Sequence, residues 1–213
     1  MYDLVVFDLD GVLVDTVSSW LWVHEYFNTN NDKMLEKYMR EEIDDEQFMA
    51  SDIDIWLKNM PGMKIEDLEA ILEAIPIMRG AKKTLDMIND KGIETAIVSA
   101  GIDIVAKRVA DTLGIEHFVA NGITVGEDGC IVQKGILRVE LRDKATPFIQ
   151  LRNKLGYSKE KCAVVGNSLI DVPMFHNSAM GIAFNADDDI VTYEADVVIN
   201  EKNLSAIIPY IFD

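Results

Sequence analysis

The sequence predicts an α/β protein in which a doubly wound parallel sheet carries a small helical cap inserted after its first strand. Three observations support this fold class. The apolar run Leu4–Phe7 is typical of a buried parallel strand. Residues 16–78 have apolar residues at helical spacing and no clear strand signal. Thereafter strands and helices alternate, and right-handed crossovers join such strands into one Rossmann-like sheet. We therefore expect a discontinuous core, residues 1–15 and 79–213, and a cap of residues 16–78.

The cap segment is predicted to contain a series of amphipathic helices separated by turn signals. The predicted helices are Ser18–Phe27, Asp32–Arg40, Asp45–Leu57 and Ile65–Ile75. Asn30-Asn31 and Pro61-Gly62 separate them. All three tryptophans, Trp20, Trp22 and Trp56, lie in this segment. We expect most of them to form the core of the cap, and the alternative is an apolar lining above a ligand site.

The second part of the chain alternates between strand and helix signals. The predicted strands are Glu94–Val98, His117–Ala120, Ala163–Val165, Gly181–Phe184 and Val197–Ile199. The predicted helices are Ala81–Asp90, Asp103–Leu113, Asp143–Leu155, Ile170–His176 and one closing helix. Gly122–Val125 and Cys130–Gln133 flank Glu127-Asp128-Gly129 and predict a β-hairpin.

Composition limits the classes of function. The formal net charge is −17 over 213 residues, which argues against binding to nucleic acid or to anionic membrane surfaces. No apolar run approaches the roughly 18 residues of a membrane span, and the first strand begins too early to leave room for a signal peptide. The two cysteines form no disulfide framework. We expect a cytoplasmic protein, and no pattern predicts its oligomeric state.

Two carboxylates stand at the end of the first strand. Asp8 and Asp10 follow the apolar run directly, and the carboxyl ends of strands in open α/β sheets are where ligands bind. Carboxylates so close together repel each other, and a hard cation such as Mg²⁺ relieves that repulsion. Asp10-Gly11 is also an ordinary turn pair, and alone it favours that interpretation.

Three later segments place polar groups at the same sheet edge. Ser99-Ala100-Gly101 follows a strand and precedes a helix, where a hydroxyl and amides suit an anion. Lys144 near a helix start calls for a negative partner, since it opposes the helix dipole. Asn167 and Asp171 lie four residues apart at a strand-to-helix junction and are able to approach a metal from one side. Capping or a surface lysine explains each one singly, whereas their combination favours a site.

These segments resemble the motifs of the haloacid dehalogenase superfamily of phosphohydrolases. The matching segments are Asp8-Leu9-Asp10-Gly11-Val12, Ser99, Lys144 and Gly166-Asn167-Ser168-Leu169-Ile170-Asp171. The cap sits where that family inserts a small helical domain. The segment Asp8 to Asp15, near the start of the sequence, is similar to the phosphoglycolate phosphatase and β-phosphoglucomutase group. The middle of the sequence, with Ser99 to Asp103 and the hairpin before Lys144, is similar to the phosphoserine phosphatase group. We give this second resemblance more weight because it covers more residues.

The resemblance implies roles for these residues. Asp8 is expected to be the nucleophile that forms an aspartyl-phosphate, and Asp10 the general acid and base. The expected Mg²⁺ ligands are Asp8, Asp10 through its backbone carbonyl, Asn167 and Asp171. The expected phosphate-binding residues are Gly11, Ser99, Ala100, Gly101 and Lys144.

The chain departs from the family pattern at the metal and substrate positions. Asn167 stands where an aspartate is common and Ile170 where an asparagine is common. Val17 replaces the cap glutamate that meets the ammonium of phosphoserine, and Ile53 lies near the position of the arginine that meets its carboxylate. The only cap arginine is Arg40. These departures disfavour phosphoserine as the substrate.

The sequence thus predicts a Mg²⁺-dependent phosphatase acting on a small phosphorylated metabolite. A phosphosugar mutase or a phosphoglycolate-type phosphatase of the same superfamily remains an alternative. A non-catalytic phosphate-binding module is a further alternative, supported by Asn167 and Ile170 alone.

Overall fold

The computed structural model describes residues 2–212 and contains one mainly parallel seven-stranded sheet. The strands are β1 (Leu4–Phe7), β2 (Glu94–Ile102), β3 (His117–Val125), β4 (Ile131–Ile136), β5 (Cys162–Gly166), β6 (Met180–Phe184) and β7 (Val197–Ile199). Their order is β4-β3-β2-β1-β5-β6-β7, and only the β3–β4 pair is antiparallel among the described strands. β1 lies in the centre, between β2 and β5, which accounts for its uninterrupted apolar run. The predicted α/β fold class is confirmed.

Helices cover both faces of the sheet, and four of them lie in the segment predicted to be the cap. The helices are α1 (Ser19–Tyr26), α2 (Asp32–Met39), α3 (Asp45–Asn59), α4 (Ile65–Glu73), α5 (Ala81–Asp90), α6 (Asp103–Leu113), α7 (Ala145–Lys154), α8 (Val172–His176), α9 (Asp189–Glu194) and α10 (Ile208–Phe212). Short 3₁₀ turns occupy Lys159–Lys161, Leu169–Asp171 and Leu204–Ile207. Helices α1 to α4 fall in the predicted cap segment. No helix in the described chain has the length and hydropathy of a membrane span.

Alternate residues of β1 pack into two separate cores. Val5 and Phe7 join one apolar cluster, which extends into the cap through residues such as Trp56. Leu4 and Val6 join a second cluster on the other face of the sheet. Helices therefore cover the sheet on both sides, as the doubly wound arrangement requires.

The strands near the site are longer than the sequence patterns indicate. β2 continues to Ile102, so Ser99, Ala100 and Gly101 lie within the strand and not in a turn after it. β3 is one strand from His117 to Val125, whereas the patterns predict a break before Gly122. The reason is Asn121, which favours a turn locally but is buried here. Its side chain donates to the Ala100 and Val139 carbonyls, at 3.1 and 2.8 Å, and accepts from two further backbone amides.

The β3–β4 hairpin and the following loop attach the cap to the core. The Ile131 amide donates to the Met63 carbonyl at 2.8 Å, and the Ile65 amide to the Gly129 carbonyl at 3.1 Å. In the loop after β4, the Leu141 amide donates to Asp45 Oδ1 on α3 at 2.9 Å. These bonds join the cap to a hairpin that lies far from it in sequence.

Candidate active site

Asp8 and Asp10 lie at the carboxyl end of β1 and are almost completely buried. The Asp8 amide continues the sheet by donating to the Val165 carbonyl at 2.9 Å. Asp8 Oδ1 accepts from the Leu9 amide at 2.7 Å. Gly11 then turns the chain with φ of 78°, and a Cβ atom there would lie 2.1 Å from Asn167 Nδ2. Glycine is therefore needed both for the turn and for the close approach of Asn167.

Lys144 is fully buried between two carboxylates. Its Nζ lies 2.7 Å from Asp8 Oδ1 and 2.5 Å from Asp171 Oδ1. These are the negative partners for the lysine just before α7. A buried ammonium is stable only with such partners, and the arrangement fixes a positive charge directly beside Asp8.

The burial of these groups changes their proton affinity. Burial is the main cause that raises the pKa of Asp8 to about 7; the charge of Asp171 adds to this, and Lys144 opposes it. Burial alone lowers the pKa of Lys144, but the charges of Asp171 and Asp8 outweigh it, and the pKa is raised. Burial also raises the pKa of Asp10, against the hydrogen bonds from Ser19.

Both oxygens of Asp171 are engaged by the protein. Oδ2 accepts from the Asn167 amide at 2.9 Å, and from the Ser168 amide and hydroxyl at 3.0 and 2.9 Å. Oδ1 faces Lys144. A Cβ on Gly166 would lie 2.5 Å from the Asp171 Cβ, so the strand end and this carboxylate are closely packed. These contacts fit the positioning of Lys144 and of the loop better than the direct metal ligation expected from the sequence.

Ser19 is a site residue that the sequence analysis missed. Its amide and its hydroxyl both donate to Asp10 Oδ2 at 2.8 Å. Its hydroxyl oxygen also accepts from the Ile102 amide at 2.9 Å. The first residue of the first cap helix thus fixes the Asp10 carboxylate against the end of β2. The only local signal was a pair of serines at a helix start, and of these Ser18 caps the helix by accepting from the Leu21 amide.

The segment Ser99-Ala100-Gly101 enters the site differently from the prediction. The Gly101 amide donates to Ser99 Oγ at 3.1 Å, and the Ile102 amide is used by Ser19. The Ala100 carbonyl accepts from Trp20 Nε1 at 3.1 Å. Because β2 continues and α6 starts only at Asp103, the amides of Gly101 and Ile102 are already bonded and are not the free amides of a helix start. Ser99 remains buried beside the cavity.

A cavity of about 840 Å³ joins the strand ends to the cap. The expected site residues that line it are Asp8, Asp10, Gly11, Ser99, Ala100, Gly101 and Asn167. Trp20 and Trp22 line it from the cap, whereas Trp56 is fully buried in the core and stacks on Trp20. The Asp15–Lys202 ion pair, at 2.5 Å, lies at its edge. Lys144 and Asp171 are not among the lining residues.

The oxygen atoms of this cavity suit a hard cation. Asp10 Oδ1 and Asn167 Oδ1 are buried and have no hydrogen-bond partner within residues 2–212. A carboxylate, a backbone carbonyl and an amide oxygen, here those of Asp8, Asp10 and Asn167, are ligands that Mg²⁺ accepts. The described chain contains no group of three His, Cys, Asp or Glu side chains that could hold a metal, consistent with an asparagine at position 167. The residues present therefore fit Mg²⁺, with one acidic ligand fewer than the common pattern.

Comparisons with known proteins identify the family of the chain. The family model of haloacid dehalogenase-like hydrolases matches residues 2–178. The phosphoserine phosphatase of Idiomarina loihiensis is 31% identical over 211 residues, which cover 96% of this chain and 91% of that protein. The phosphoserine phosphatase of Methanocaldococcus jannaschii is 27% identical over 216 residues, covering 98% and 97%.

A solved structure has the same fold. A phosphoserine phosphatase that represents a phospho-aspartyl intermediate analogue superposes with a TM-score of 0.81 at 24% identity, covering 99% of each chain. The family model and the relative above 30% identity cover most of the sequence. The chain therefore belongs to the haloacid dehalogenase-like hydrolase family, in its phosphoserine phosphatase-like group, and is a phosphoric monoester hydrolase.

Proposed function

We propose that this enzyme hydrolyses a small-molecule phosphomonoester by a Mg²⁺-dependent mechanism with an aspartyl-phosphate on Asp8. The observation that carries the proposal is the buried Lys144, whose Nζ lies 2.7 Å from Oδ1 of Asp8, a residue that lines the cavity. That cation stabilises the ionised nucleophile and the negative charge that accumulates on a phosphoryl group during transfer.

Asp8 presents one oxygen for attack. Oδ1 is bound by Leu9 and Lys144, whereas Oδ2 makes no hydrogen bond within the described chain. In the first step Oδ2 forms a bond to phosphorus and the bond from phosphorus to the leaving oxygen breaks. In the second step water attacks the same phosphorus, inorganic phosphate leaves, and the Asp8 carboxylate is restored.

Asp10 is the proposed proton carrier for both steps. Ser19 fixes its Oδ2, and its Oδ1 has no protein partner within residues 2–212. The raised pKa, caused mainly by burial, favours a protonated carboxyl that donates to the leaving alkoxide. The resulting carboxylate then accepts the proton of the attacking water.

The remaining polar groups bind phosphate and metal in this proposal. Ser99 holds a phosphoryl oxygen, bordered by the backbone at Gly11, Ala100 and Gly101, and Lys144 contributes its charge from behind Asp8. The Asp8 carboxylate, the Asp10 carbonyl and the Asn167 amide oxygen would hold Mg²⁺, which neutralises negative charge when bound. Asp171 supports this set through Lys144 and the loop at Asn167.

The cavity walls support selection against phosphoserine. Val17 lines the cavity but is 84% exposed and carries no charge. Ile53 is fully buried, and Arg40 is exposed just after the end of α2, near Glu36. Lys202, already paired with Asp15, is the only lysine or arginine among the described lining residues. No basic group from the cap therefore meets a substrate carboxylate in this structure.

The expected site of action is the cytoplasm. Cys130 and Cys162 are both unbridged. Unbridged thiols are typical of a reducing compartment.

The direct test is hydrolysis of p-nitrophenyl phosphate with and without Mg²⁺. We expect metal-dependent turnover that Asp8→Asn abolishes while the circular dichroism spectrum stays unchanged. Asp187→Asn is the matched control, because Asp187 lines the same cavity and has no role in the mechanism. Turnover that survives in Asp8→Asn would overturn the assignment of the nucleophile.

A further inference from the structure

The cap encloses a second, smaller cavity beside the active site. It measures about 210 Å³ and shares Ser18, Trp20, Ala100 and Leu141 with the larger cavity. Since a water molecule occupies about 30 Å³ of liquid, this space holds a small organic group and not only a few solvent molecules. Its shared walls make it a compartment adjoining the one that contains Asp8.

The walls of this compartment are mainly apolar, and three aspartates also line it. The apolar side chains that line it in addition to the shared ones are Leu21, Leu35, Phe48 and Met49. Asp32, Asp45 and Asp52 also line it, and no lysine or arginine is among its described lining residues. Asp45 is satisfied by the Tyr38 hydroxyl and the Leu141 amide. Asp32 lies on the surface at the start of α2.

Asp52 is the buried acidic group of the compartment. Its Oδ1 accepts from Asn31 Nδ2 at 2.6 Å and faces His24 Nε2 at 3.0 Å. His24 is held in turn by Thr29, 2.9 Å from its Nδ1. The second oxygen, Oδ2, makes no hydrogen bond in the described part of the chain. Asp52 is thus oriented by its neighbours and retains acceptor capacity.

We propose that this compartment binds the alcohol part of the substrate, and that this alcohol is small and carries an amine but no carboxylate. The inference rests on the proposed phosphatase function. An ammonium group finds the Asp52 carboxylate and the ring of Trp20, both of which favour a cation. The carbon chain packs on the leucine, methionine and phenylalanine side chains. A carboxylate would enter a space with three aspartates, where the one basic side chain among the described lining residues is His24, already engaged by Asp52, and like charges disfavour it.

Four matched phosphomonoesters test this with the wild-type enzyme and Mg²⁺. Phosphoethanolamine carries an amine only, phosphoserine an amine and a carboxylate, phosphoglycolate a carboxylate only, and ethyl phosphate neither group. We expect kcat/KM to be highest for phosphoethanolamine, at least about tenfold above phosphoserine and phosphoglycolate, with ethyl phosphate between them. A value for phosphoserine equal to or above that for phosphoethanolamine overturns the inference.

A charge placed in the compartment gives an independent test. Leu35 lines it and is 44% exposed, so Leu35→Lys adds a cation without burying one completely. We expect the ratio of kcat/KM for phosphoethanolamine over phosphoserine to fall by about tenfold. Met39→Lys, one turn away on the same helix and outside the lining, is the matched control and should leave the ratio unchanged. An unchanged ratio in Leu35→Lys contradicts the assignment of the compartment.

The two proposals fail in distinguishable ways. If p-nitrophenyl phosphate and all four esters resist hydrolysis, the proposed function fails and the inference fails with it. If p-nitrophenyl phosphate is hydrolysed in an Asp8-dependent manner but phosphoethanolamine shows no preference, the phosphatase stands and only the ligand class of the compartment is wrong.

Discussion

Ser19 illustrates how one side chain links the cap to the catalytic centre. Its amide and its hydroxyl donate to Asp10. Its hydroxyl oxygen also accepts from the Ile102 amide, which lies 83 residues away along the chain. Patterns within a few residues of Ser19 contain no trace of that partner. The motif residues Asp8 and Asp10 were predictable because their spacing is local, whereas Ser19 depends on long-range folding.

Removing the Ser19 hydroxyl tests this contact. Ser19→Ala keeps the amide donor to Asp10 and removes the hydroxyl donor, so we expect turnover to fall by roughly tenfold. The loss should be larger for ethyl phosphate than for p-nitrophenyl phosphate, because the nitrophenolate leaves without a proton. Steady-state kinetics with both esters measure this. Ser51→Ala, whose hydroxyl bonds only within the cap, is the control; equal losses for both esters would refute a role through Asp10.

Asn167 leads to a second prediction. Its buried Oδ1 lacks a protein partner in residues 2–212, and Asn167→Asp adds a negative charge at that point. We expect the Mg²⁺ concentration for half-maximal activity to fall by about tenfold, since a carboxylate binds Mg²⁺ more strongly than an amide. Asn185→Asp, which adds a charge elsewhere in the same cavity, should shift it less. If neither variant changes the metal titration, Asn167 is not a ligand.

At the scale of the elements, local patterns predict some features better than others. β1 and the cap helices follow from short apolar patterns, and the structure contains them close to the predicted positions. The extra length of β2 and β3 does not follow from local patterns, because it depends on hydrogen bonds from Asn121 to the Ala100 and Val139 carbonyls. The pairing of the hairpin with the cap at Ile131 and Met63 is equally nonlocal.

The junction of β5 with its following loop carries a third prediction. Gly166→Ala places a Cβ about 2.5 Å from the Asp171 Cβ, a backbone-near atom that cannot move away freely. We expect a loss of about 1–3 kcal/mol in the free energy of unfolding, measured in urea. Activity should fall as well, since Asp171 positions Lys144. Full activity with unchanged stability would show that the loop adapts and that this packing has little importance.

On the scale of the whole molecule, the net charge of −17 opposes the approach of the substrate. A phosphomonoester carries about −1.5 to −2 near neutral pH. The buried Lys144 attracts it only at short range, after the substrate has entered the cavity. The long-range field and the local site therefore act in opposite directions.

A fourth prediction follows from this opposition. Raising the ionic strength from about 0.01 M to about 0.15 M shortens the screening length from about 30 Å to about 8 Å. We expect kcat/KM for ethyl phosphate at saturating Mg²⁺ to rise by roughly two- to threefold. The zwitterionic phosphocholine should respond less, because its net charge is smaller. A decrease for ethyl phosphate would indicate that attraction dominates its approach.

The central position of β1 also affects how the enzyme is made. β1, which carries the nucleophile, is synthesised before the other described strands, yet its neighbours are β2 and β5. Cys162–Gly166 is synthesised long after Leu4–Phe7. Until then the apolar edge of β1 has no partner on one side, and the cap helices are already complete. The nascent chain thus has a period in which a chaperone that shields extended apolar segments would bind it, and the catalytic centre forms only after β5 and the loop at Asn167 have been made.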